Sequence, residues 1–95
     1  MNKVNLSLQV IPINEAKAYP IIDKAIEIIQ VSGLKYEVQP FATILEGTLE
    51  EVLVVALAAK EAALKAGAQE LVLNIQIHLK KDQDVSFEDK TVKFQ

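Results

Sequence analysis

An α+β sandwich with the element order βαββαβ is the fold class predicted from three observations. Four segments alternate apolar and polar residues with the period of a half-buried strand. Two longer segments repeat apolar residues with the period of a helix. Glycine or proline punctuates the joints between them.

The first strand is Lys3 to Ile11, with Val4, Leu6, Leu8 and Val10 on one face and Asn5, Ser7 and Gln9 on the other. Pro12 lacks a backbone donor and is expected to end the ladder. Asn14 to Ser32 is a helical segment with the stripe Ile22, Ala25, Ile26 and Ile29 opposite Asp23, Glu27 and Gln30. Proline is tolerated only in a first turn, so Pro20 places the regular start near Ala18 or Tyr19. Gly33 is the expected stop.

Leu34 to Pro40 is the second strand, with Tyr36 and Val38 on one face. Ala42 to Glu46 is the third, with Thr43 and Leu45 on one face and Ala42, Ile44 and Glu46 on the other. The short link between them predicts an antiparallel hairpin. Thr48, with Glu51 three residues on, has the spacing of a capping box that opens the second helix. Glu50 and Glu51 also suit the positive end of the helix dipole. That helix runs to Ala66 and Gly67 closes it. Leu71 to Leu79 is the fourth strand, with Asn74, Gln76 and His78 opposite its leucines and isoleucines. A polar tail follows from Lys80 to Gln95, in which Ser86 and Asp89 predict a short helical turn at Phe87 to Val92.

Both helices must bury their stripes on one face of an antiparallel four-stranded sheet, which gives a ferredoxin-like two-layer sandwich. Right-handed crossovers put the first and third strands in the middle. The 95 residues suit one domain, residues 1–95.

Composition narrows the function. The hydrophobic share is 51%, more than one small core requires, so an oligomer, dimer or tetramer, is expected to bury the excess. Part of that excess lies in Val52 to Ala59, a stretch with no polar side chain, where Val54 and Leu57 fall outside the sheet-facing stripe Val52, Val55, Ala56, Ala59 and Ala63. A surface patch and a subunit contact are the two readings of those residues. There is no Cys, which excludes disulfides and thiolate metal sites and fits a reducing, cytoplasmic setting. All ten basic residues are Lys and the net charge is −3, which speaks against a nucleic-acid partner. Met1-Asn2-Lys3 leads into an alternating segment rather than an apolar run, so neither a leader nor a membrane span is expected.

The sheet face away from the helices is expected to carry Asn5, Ser7, Gln9, Thr43, Asn74, Gln76 and His78, polar but almost uncharged. Three readings fit: a solvated face, sheet packing in an oligomer, or a platform for a polar heterocycle. His78 stands without a second His, so no metal or other cofactor is expected. Ser7 has no base to activate it, and the three glycines form no phosphate loop, so nothing indicates an enzyme. Glu46, beside Gly47 at a strand end, is either an exposed acid or a partner for an aminopyrimidine. Tyr36 and Phe41 are candidates to flank a planar ligand, and Tyr36 suits the core equally.

The segments Gly33-Leu34-Lys35-Tyr36-Glu37-Val38 and Pro40-Phe41-Ala42-Thr43-Ile44-Leu45-Glu46-Gly47 resemble the small stand-alone thiamine-binding protein family. Val10-Ile11-Pro12, Thr48-Leu49-Glu50-Glu51-Val52 and Glu88-Asp89-Lys90 extend the resemblance over nearly the whole chain. It implies a ferredoxin-like fold, dimers or tetramers built partly by packing sheets, and binding of thiamine or its hydroxymethylpyrimidine moiety without catalysis. It places Thr43 near the ligand and makes Glu46 the acid of the acid–glycine pair. Face geometry adds Ser7, Gln9, Asn74 and Gln76. Phe41-Ala42 departs from the small or polar residues that relatives often carry there.

The expected mechanism is capture: Thr43, Ser7 and an amide bond the ring edge, Glu46 takes the amino group, and an apolar wall covers the ring. The alternative is a structural or regulatory homo-oligomer whose open sheet face serves only assembly. An enzyme acting on a small metabolite ranks last, because fold alone gives no support for one.

Overall fold

The computed structural model describes residues 2–92; residue 1 and residues 93–95, the end of the polar tail, lie outside the described residues. The elements are β1 (Lys3–Pro12), α1 (Ala18–Gln30), β2 (Lys35–Val38), β3 (Thr43–Thr48), α2 (Leu49–Lys65), β4 (Leu71–His78) and α3 (Phe87–Thr91). The sheet is antiparallel with the order β2-β3-β1-β4, so the first and third strands are central as the ferredoxin-like topology requires.

Register follows from burial. Leu6 lies opposite Leu45 on β3 and Ile77 on β4, and all three point toward the helices. Leu6, Ile29, Leu45 and Val52 are fully buried where sheet and helices meet. Ala25 of α1 and Ala56, Ala59 and Ala63 of α2 are buried in the same core. Small side chains there let the two helices approach each other and the sheet closely. As expected, Val54 and Leu57 are left outward, 66% and 53% exposed.

Local chemistry sets the element ends. Pro20 occupies the first turn of α1, where a missing N–H leaves no hydrogen bond unmade. β2 stops at Val38 because the Gln39 N–H turns to the Ala42 carbonyl at 2.9 Å. β3 continues two residues beyond Glu46, because Gly47 and Thr48 pair with Val4 and Lys3. Thr48 then caps α2: its hydroxyl accepts from the Glu51 N–H and its own N–H donates to the Glu51 carboxylate at 2.9 Å. Gly47 is buried beside this box, and a Cβ there would sit 3.2 Å from Glu51 Oε1 and 3.3 Å from Leu34. α2 ends with Gly67 at φ 117°, where the Gly67 and Ala68 N–H groups bond the Leu64 and Ala63 carbonyls. That paired closure requires the left-handed backbone that glycine adopts freely.

One expectation is corrected. Thr43 lies opposite Leu8, so it is on the helix side of the sheet and not on the open face. Leu45 has to be buried, and side chains alternate, so Thr43 follows it inward. The position of the polar tail is set by long-range hydrogen bonds to β1 and β3. It crosses the open face and buries Val85, which is 2% exposed.

Thr48→Ala should lower stability by about 1 kcal/mol through loss of the cap, as measured by chemical denaturation. The Glu51 carboxyl is held below its ordinary value of 4.5, chiefly by the hydrogen bond from the Thr48 N–H. A lowered folded value means stability that is present above the ordinary value and lost as pH falls through the folded one. Glu51→Gln keeps a capping side chain but not its titration, so stability should fall less steeply below pH 4.5 than in the parent chain.

Candidate functional site

A concavity on the helix side lies between α1 and the β2–β3 turn, with a volume of about 420 Å³. Val10, Ile22, Ile26 and Val38 form apolar walls, Tyr19 and Phe41 stand at its mouth, and Thr43 and Asp23 supply polar atoms. Thr43 is 6% exposed, whereas Tyr19 and Phe41 are 81% and 84% exposed. No side-chain hydrogen bond among the described residues engages the Thr43 hydroxyl, so it is free to bond a ligand edge. A largely apolar cleft of this size with a few polar groups suits a small planar molecule.

The α1 residues at this site were not singled out from sequence. Their signal is visible in retrospect, since the stripe Ile22-Ala25-Ile26-Ile29 is wider than the sheet can cover. Ala25 and Ile29 are buried, while Ile22 and Ile26 remain half-buried and line the cleft.

The open face gathers the other expected residues. Asn5, Ser7 and Gln9 of β1 lie opposite His78, Gln76 and Asn74 of β4. The Asn74 amide donates to Gln9 Oε1 at 2.9 Å, so these two side chains satisfy each other. Ser7 and Gln76 flank a concavity that also includes Asn5, Ile44, His78 and Lys90.

Glu46 also faces this side but is 7% exposed and already engaged. Its Oε1 accepts from the Phe87 N–H at 2.7 Å and from Asn5 Nδ2 at 3.2 Å. Oε2 lies 3.9 Å from Lys35 Nζ. Lys35 also bonds Glu88 at 2.9 Å and lies 5.3 Å from the Phe87 ring centre. The Glu88 hydrogen bond is the main cause that raises the Lys35 pKa, with the Glu46 charge adding to it against some desolvation. Glu46 is therefore the anchor of the C-terminal segment. It cannot share one cavity with Thr43, because the sheet lies between them.

Among the described residues no three His, Asp or Glu side chains are placed to hold a metal ion, and no helix is long and apolar enough to cross a membrane.

The arrangement recurs in known proteins. A model of the family described as "Thiamine-binding protein" matches residues 6–95. The chain belongs to the thiamine-binding protein family. A UPF0045 protein from Clostridium perfringens is 32% identical over 95 residues, covering 99% of both chains. The solved structure of a domain of unknown function from Bacillus cereus is 38% identical with a TM-score of 0.94, covering 99% of this chain and 91% of that one. A candidate thiamine biosynthesis/salvage protein from Thermotoga maritima is 32% identical with a TM-score of 0.88, covering 98% and 99%. Likeness across nearly whole chains fixes the ferredoxin-like class.

Glu46→Leu leaves the Phe87 N–H and the Asn5 amide without their acceptor. It should lower stability by about 1–3 kcal/mol. It should also speed amide exchange at Val85 and Phe87 and tryptic cleavage after Lys80 or Lys81. Unchanged exchange would show that the carboxylate does not anchor the segment.

Proposed function

We propose that this protein captures thiamine, or its hydroxymethylpyrimidine moiety, without chemical conversion, in the cleft at Thr43. The observation that carries the reading is the unpartnered hydroxyl of the mostly buried Thr43 in the lining of an apolar slot that two exposed aromatic rings also line. Membership of the thiamine-binding family and the name of the Thermotoga maritima relative support the ligand class. In this reading Thr43 bonds the pyrimidine edge, Tyr19 and Phe41 cover the ring, and the Asp23 carboxylate on the rim attracts the amino group or the cationic ring. The role first assigned to Glu46 passes to Asp23, because Glu46 lies across the sheet.

The protein acts as a homo-oligomer in the same proposal, within the cytoplasm. Exposed Val54 and Leu57 on α2 and the weakly charged open face support assembly. An alternative, a purely structural or regulatory oligomer, rests on the same two surfaces and needs no ligand.

Calorimetric titration with thiamine and with hydroxymethylpyrimidine tests the reading directly. Saturable binding is expected, weakened by about 1 kcal/mol in Thr43→Val. Asn74→Ala and Gln76→Ala, across the sheet, should leave it unchanged. No heat at millimolar ligand would sink capture in favour of assembly alone, and a loss confined to the open-face variants would move the site to that face.

A further inference from the structure

Among the described residues, one charged side chain lines the Thr43 cleft, that of Asp23. The other polar side chains there are neutral hydroxyls and amides: Thr43, Tyr19, Gln9 and Gln39. Lys17 and Lys24, the lysines that flank these α1 residues in sequence, are not in the lining, and Lys24 pairs with Glu27 at 3.4 Å. The chain has no Arg to supply a guanidinium fork. A cleft of this kind offers an anion no counter-charge.

The start of α1 borders the same cleft through Ala18 and Tyr19. A helix start ordinarily presents several free N–H groups that can cradle a phosphate. Here Pro20 stands third in the helix and removes one of those donors. The residues before it, Ile13 to Lys17, include no Gly that would let the backbone wrap closely around a phosphate. The other features favour positive charge. The largely exposed Tyr19 and Phe41 rings have negative faces that attract cations. Asp23 follows Tyr19 by four residues, so the carboxylate and the ring share one face of α1.

We propose that Asp23 makes the cleft a charge filter, which accepts thiamine and hydroxymethylpyrimidine as free alcohols and rejects their phosphate esters. The inference rests on the capture reading above and adds the selection within it. At low ionic strength a phosphate dianion about 8 Å from a carboxylate in water is disfavoured about fivefold. The apolar walls formed by Val10, Ile22 and Ile26 lower the local dielectric and increase that penalty. The same carboxylate attracts the cationic thiazolium ring. A ligand selected in this way is one that phosphoryl transfer to its hydroxyl has yet to modify.

Calorimetric titration of the full chain with thiamine, thiamine monophosphate and thiamine diphosphate at low ionic strength provides the test. Thiamine should bind at least about fivefold more tightly than either ester. Raising the salt to about 1 M should narrow that ratio. Asp23→Asn, a change at an exposed position, should bring the ratio to within about twofold. Hydroxymethylpyrimidine, uncharged in mildly alkaline buffer, should bind the parent and the variant alike. Binding of thiamine with equal or tighter binding of an ester would overturn the charge filter and leave capture standing. A preference for thiamine that Asp23→Asn does not alter would overturn it as well, because the selection would then lie elsewhere. If neither thiamine nor hydroxymethylpyrimidine binds, capture itself fails and the filter with it.

Discussion

The pairing of Leu6 with Leu45 across the two central strands is the constraint on which the rest of the molecule depends. Both side chains are wholly buried against the helices. Because a strand alternates its side chains, that one pairing decides the face of every other residue on β1 and β3. A slip of one position would bring Ile44 and Glu46 into the core and turn Leu45 out. Glu46 and Asn5 instead meet on the opposite side, where they hold the C-terminal segment.

The two faces consequently have different chemistry. On the helix side the packing is incomplete at one end, where α1 leans over the β2–β3 turn and Ile22, Ile26 and Thr43 line a cleft. On the other side hydroxyl, amide and imidazole groups line up across β1 and β4, and the crossing segment covers one end of them. A domain of this size has a thin core, and a sheet only one layer thick keeps two chemically different surfaces close in space without mixing them.

Much of this was legible in the residues. The four alternating segments, the Thr48–Glu51 box and the breaks at Gly33 and Gly67 follow from periodicity and local hydrogen bonding, and the central position of β1 and β3 from the handedness of the crossovers. The exposed Val54 and Leu57 were legible too, because an unbroken apolar run on a helix cannot all face one sheet. Thr43 was placed wrongly because a threonine suits either face of a strand, and only the burial of its neighbour Leu45 decides. The engagement of Glu46 was hidden because its partners, Asn5 and Phe87, are each 41 residues away in the chain.

Periodicity, capping and punctuation are short-range properties, so the amino-acid order alone sufficed for the element order, the ferredoxin-like class and the resemblance to the thiamine-binding family. Which polar residues share a cavity is a long-range property. It was settled only when the strands paired and the tail folded across them, because register couples side chains that the chain itself keeps far apart. The separation of Thr43 from Ser7 and Glu46 by a sheet belongs to that second kind.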